Sequence, residues 1–108
     1  MIDRVALEVH RSAIVVDGIA GELKDPDTAQ PWRDGGVTLA LPHAANLEDS
    51  GAAIARLLQW RAWLDESAGS LLLVRRVEDI DRAKAQNILG IAFHFQNTLP
   101  IGRDIGLI

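Results

Sequence analysis

The sequence predicts an α/β fold made of parallel βαβ units. Three observations carry that expectation. Apolar, β-branched runs occur at Ala13–Val16, Gly35–Pro42 and Ile88–Gln96. Stretches of helical spacing lie between and after them, and the joins are rich in glycine, proline and aspartate. Strand and helix alternating in this way, with crossovers long enough to return each strand in the same direction, is the signature of a parallel sheet covered by helices.

Taken in order, Asp3 to Arg11 suits a short helix with Val5 and Val9 on one side, leading into a strand at Ala13–Val16. That strand breaks at Asp17-Gly18, and strand ends followed by an opening loop are where many α/β enzymes hold catalytic or metal-binding groups. The stretch Gly18–Asp34 contains Pro26, Pro31, Asp25, Asp27 and Gly21 and reads as a long loop. "GGVTLALP" is a second strand, apolar on both faces as a buried parallel strand would be. Asn46 is expected to cap a long helix running to about Ser67, with Ala53, Ile54, Leu57, Trp60, Arg61 and Leu64 as its packing stripe. Leu71–Val74 is a short apolar segment, "VEDIDRAKAQN" a short helix, and "ILGIAFHFQ" the third strand. Pro100–Ile108 is expected to begin a further helix with Ile101, Ile105 and Ile108 in line.

Composition narrows the function. The chain has 108 residues, 48% of them hydrophobic and 24% charged, an ordinary balance for a globular protein. Its formal charge of -4 is spread without blocks, which argues against a nucleic-acid partner. Without cysteine there is no disulfide, thiolate nucleophile or cysteine metal knuckle. No apolar run approaches the roughly 20 residues that cross a bilayer. The N-terminus lacks the apolar core of a signal peptide, so no membrane is expected and the protein is read as cytoplasmic.

The third strand is the richest in chemistry. Alternation sets Ile91, Phe93 and Phe95 on one face and Ala92, His94 and Gln96 on the other. His94 and Gln96 read either as buried polar groups satisfied by nearby backbone or as pocket groups. Asp17 is likewise either a turn former bonding its own loop or a pocket carboxylate. His43 stands at the end of the second strand and His10 on the first helix. Neither has a second histidine at the spacing of a metal pair, and each reads as a surface or loop residue. Trp32 and Trp60 read as packing residues. No Ser-His-Asp set, glycine-rich phosphate loop or zinc signature is present.

Several stretches together resemble a known family. "AIVVDGIAGEL", the "WRDGGVTLAL" stretch from Trp32, "DIDRAKAQNILGIAFHFQN" and "LPIGRDIGLI" look like the N-terminal part of the membrane dipeptidase (renal dipeptidase) family, whose members are amidohydrolase-type (β/α)8 barrels. The resemblance covers Val5 to Ile108 and rests on the order and spacing of motifs that are each weak alone. It implies that residues 1–108 form a single segment, the N-terminal third of a TIM-type barrel, since such barrels need about 250 residues. It also implies a small peptide-like or amide substrate, with the remaining wall coming from the rest of the barrel or a second chain, possible in a homo-oligomer.

The family hydrolyses dipeptides with two zinc ions. Its first strand ends in Asp-Gly-His-x-Asp and its third carries a bridging glutamate. Asp17 and Gly18 match that pattern. Ile19 stands at the histidine position, Gly21 at the second aspartate and Gln96 at the bridging glutamate. An alkyl group, a hydrogen and a neutral amide leave no charge to hold two divalent ions, so the metal site reads as degenerate and the cofactor as unknown. The expectation is a dipeptidase-like hydrolase of doubtful activity, with Asp17, His94 and Gln96 as candidate pocket residues. The alternatives are a non-catalytic barrel relative that binds a peptide-like or small amide ligand, and a small α/β interaction module that dimerises through its sheet.

Overall fold

A computed structural model describes residues 1–108. Helix α1 (Arg4–Ser12) is capped by Asp3, whose carboxylate accepts the Val5 N–H. No residue of α1 is buried, and its apolar side, Val5 and Val9, faces outward. His10 fixes the helix to the body through a 2.7 Å hydrogen bond between Nε2 and the Gly35 carbonyl. Strand β1 is confined to Val16–Asp17, later and shorter than the apolar run suggests. The segment after it is not a plain loop. It contains a 3-10 turn at Pro26–Ala29, capped by the Asp25 carboxylate and the Thr28 hydroxyl, and a short helix α2 (Gln30–Asp34). Proline at the start of each turn supplies the helical φ without losing a bond, a positional effect that composition alone conceals.

The second strand is two sections, β2 (Leu39–Ala40) and β3 (His43–Ala45), separated at Leu41-Pro42 where proline removes a donor. Helix α3 (Ser50–Glu66) is capped by Asp49, whose Oδ1 accepts the Ala52 N–H at 2.9 Å. The cap falls at Asp49 and not at Asn46 as expected, and the Glu48 carboxylate folds back onto the Asn46 N–H. Of the expected stripe, Ala53, Trp60 and Leu64 are buried, Leu57 is half-buried, and Ile54 and Arg61 are exposed. The helix therefore meets the sheet along a narrower line than the apolar spacing implies.

Leu71–Leu73 is a strand, β4, and helix α4 (Val77–Gln86) leads from it to β5 (Leu89–Ile91). The third predicted strand is also split, continuing as β6 (His94–Phe95). All pairings are parallel, in the order β1-β2-β5-β4, with β3 and β6 extending β2 and β5. The chain visits the edge at β4 before inserting β5 beside β2. The expected C-terminal helix is instead two 3-10 turns, Leu99–Ile101 and Ile105–Leu107. Gly102, at φ +60° between them, ends the first turn in a conformation other residues rarely adopt.

The core lies between sheet and helices: Leu71, Leu89, Ile91 and Ala40 from the strands meet Trp60 and Leu64 of α3, with Ala20, Leu23 and Ala29 closing one side. It is small: only 19 of the 108 residues are buried at all, polar ones included, and large apolar side chains such as Val16, Ile19 and Phe95 remain exposed. No helix is long and apolar enough to cross a membrane.

One carboxylate organises the β4–α4 turn. Asp79 is buried, and its Oδ2 accepts the backbone N–H groups of Arg75 at 2.9 Å and Arg76 at 3.2 Å. The Arg75 N–H is the chief reason its pKa lies below the ordinary aspartate value of 3.8, assisted by Arg76 and Arg82. A lowered folded-state pKa stabilises above the unfolded value and is lost as pH falls through the folded one. Asp79→Asn is therefore expected to lower the thermal midpoint at neutral pH and to flatten its decline below about pH 4, the aspartate range. Thermal unfolding from pH 7 to 2.5 checks this, and equal acid slopes for both proteins would remove Asp79 as a contributor.

Candidate functional site

The C-terminal ends of β1, β3 and β6 lie together, as parallel strands require. Asp17 ends β1, but both its carboxylate oxygens are engaged: Oδ1 accepts the Ile19 N–H at 3.2 Å and Oδ2 accepts the Trp32 indole N–H at 2.7 Å. Asp17 thus forms the turn after β1 and holds Trp32 of α2 against the core edge. Beyond it the chain turns outward, leaving Ile19 exposed.

His43 and His94 are partners across the β3–β6 pair, and their rings meet edge to face with centroids 4.6 Å apart. His43 Nε2 and both ring nitrogens of His94 are buried without a hydrogen-bond partner. Whichever tautomer His94 adopts, it therefore carries one unmatched N–H and one unmatched lone pair. Reading along the chain treats His43 as a loop residue. Its register with His94, 51 positions of chain and two crossovers away, has no local signal beyond the position of both at strand ends.

Gly21 completes the group. A Cβ at this position would lie 3.2 Å from His43 Cε1, so the imidazole occupies the space into which a larger side chain at position 21 would grow. Gln96 is exposed. Its backbone N–H bonds the Ala45 carbonyl at 3.0 Å, and Asn97 beside it donates from Nδ2 to the Asn46 carbonyl, tying the ends of β6 and β3 together. A cavity of about 170 Å³ opens beside His43, lined also by Lys24, Asn46, Glu48 and Arg56. The Asn46 N–H holds the Glu48 carboxyl below the ordinary carboxylate range, with a smaller pull from Arg56.

The structure thus brings His43 and His94 together and leaves Asp17 engaged and Gln96 at the rim. No group of three His, Asp or Glu side chains converges as a metal site. With Ile19 turned out, Gly21 covered by His43 and a neutral amide at 96, these residues do not fit a two-zinc centre.

No protein-family model matches the chain, and no curated protein matches it. Among solved structures, an amidohydrolase from Pseudomonas aeruginosa superposes with a TM-score of 0.85 at 27% sequence identity. The match covers 94% of this chain and 31% of that one, so the chain spans about a third of its structural neighbour. The parallel α/β arrangement is accordingly that of the N-terminal part of an amidohydrolase-type barrel.

Proposed function

We propose that this chain forms the opening strands of a cytoplasmic amidohydrolase-type hydrolase acting on the amide or peptide bond of a small, dipeptide-like substrate, with the two-zinc site of the membrane dipeptidase pattern degenerate. The likeness to the Pseudomonas aeruginosa amidohydrolase carries the reading, because it extends over nearly all of this chain at a detectable level of sequence identity. The strand mouth supports it chemically. An amide offers both a carbonyl acceptor and an N–H donor, and the cavity beside His43 presents both kinds of partner in Lys24, Arg56 and the Glu48 carboxylate, while the unmatched ring nitrogens of His43 and His94 are buried in the adjoining strand pair. The remaining wall, from further residues or a second chain, would cover the open sheet face and enclose that mouth.

A non-catalytic binding role for the same mouth is the second reading. The engagement of both Asp17 oxygens favours it, since no free carboxylate is left at the end of β1 to act as a base.

The test is elemental analysis of the protein that contains this chain, beside hydrolysis of a panel of dipeptides with and without chelator. Far less than two equivalents of zinc and slow, chelator-insensitive cleavage are expected. Saturable dipeptide binding without cleavage would favour the binding role. Two tightly held zinc ions would overturn the assignment of Ile19, Gly21 and Gln96 to vacated ligand positions. The triple change Ile19→His, Gly21→Asp and Gln96→Glu is expected to raise zinc uptake only if His43 gives way, so His43→Ala belongs in the same series.

A further inference from the structure

A second site lies away from the strand mouth, along β4 between α3 and α4. Four of the nine arginines in the sequence, Arg61, Arg75, Arg76 and Arg82, line one cleft of about 640 Å³. They are dispersed in sequence, so the even spread of charge along the chain conceals a concentration in space. Two carboxylates share the cleft. Asp65 meets Arg61 at 3.4 Å, and Asp79 meets Arg82 at 3.1 Å and Arg76 at 3.8 Å. Arg75 has no carboxylate partner. Four guanidinium charges against two carboxylates leave a local charge of +2 in a chain whose net charge is -4.

The cleft is built rather than merely basic. Asp79 has only 7% of its side chain exposed, yet the Arg76 and Arg82 side chains it holds are 72% and 47% exposed. A buried carboxylate thus fixes two guanidinium groups while leaving their outer N–H donors facing solvent. Leu72 and Leu73, both half-buried, supply an apolar wall beside them. Guanidinium groups present planar, paired donors that match the oxygens of a phosphoryl group, and an excess of two positive charges matches a phosphate dianion.

We propose that this cleft binds a small phosphate monoester, its phosphoryl group held by Arg75 with Arg61, Arg76 and Arg82 and its apolar body resting on the leucine wall. The site makes no use of the strand mouth, so its test is read separately from that of the hydrolase reading. Isothermal titration of the full protein at low ionic strength with phenyl phosphate, inorganic phosphate and phenol tests it. Phenyl phosphate is expected to bind most tightly, inorganic phosphate more weakly and phenol not measurably. Arg75→Ala and Arg61→Ala, which leave the Asp79 contacts intact, are each expected to weaken phenyl phosphate by about tenfold, the loss of one charge-assisted interaction. Unchanged thermal midpoints would show that the variants remain folded. No phosphate binding at millimolar concentration, or binding that both variants retain at full strength, would overturn the proposal. Inorganic phosphate binding as tightly as phenyl phosphate would overturn the monoester assignment.

Discussion

Replacing Trp60 with alanine is expected to lower the unfolding free energy by about 3–5 kcal/mol, the range for deleting a large buried aromatic. Trp60 is fully buried, packs edge to face on Trp63 at 5.2 Å, and tilts against Phe93 at 5.7 Å. It therefore joins α3 to the strand that leads into His94, and a small core offers little elsewhere to fill the cavity. Its indole N–H is buried without a partner, which makes Trp60→Phe an informative companion. That change keeps most of the ring and removes an unmet donor, so its cost should fall well below that of alanine. Urea unfolding of the full protein measures both. A loss under about 0.5 kcal/mol for Trp60→Ala, typical of surface positions, would mean that α3 does not lie on the sheet as described.

Gly90→Val is the second severe change expected, at about 3 kcal/mol, the upper part of the range for overpacking a close-packed interior. Gly90 sits in β5 between β2 and β4. A Cβ there would approach Val74 Cγ2 to 2.9 Å and the Thr38 carbonyl oxygen to 3.0 Å. The side chain of Val74 could turn aside, but the Thr38 carbonyl accepts the Gly90 N–H at 2.8 Å and belongs to the ladder itself. Valine therefore forces β2 and β5 apart, and the His43–His94 register downstream is expected to be disturbed with it. Urea unfolding gives the stability loss, and the histidine ring resonances in an NMR spectrum report the register. A valine variant as stable as the parent, with unmoved histidine signals, would show that β2 and β5 are not neighbours.

Much of this architecture is legible along the chain. The period-two pattern of "ILGIAFHFQ" separates the helix-facing residues from those at the mouth: Ile91 and Phe93 pack toward α3, while His94 meets His43. The absence of ligand chemistry at Ile19, Gly21 and Gln96 is a property of residue identity and needs no fold to be seen. Boundaries were less legible. Asp49 and Asn46 are both good caps by type, and only the structure shows that Asp49 takes the role, its carboxylate accepting the Ala52 N–H. Leu71–Leu73 is too short to declare itself a strand, and it becomes one only through pairing with β5.

By itself, then, the sequence determined the parallel α/β class and the sidedness of the third strand, because each follows from side-chain identity and local period. Only the tertiary structure decided that β5 enters between β2 and β4, that Asp17 is spent on Ile19 and Trp32, that His43 covers Gly21 and meets His94, and that four scattered arginines share one cleft. These are contacts between distant residues. They depend on which faces can be buried against one another and on the closure of long crossovers, and neither leaves a trace in the neighbouring residues of the chain.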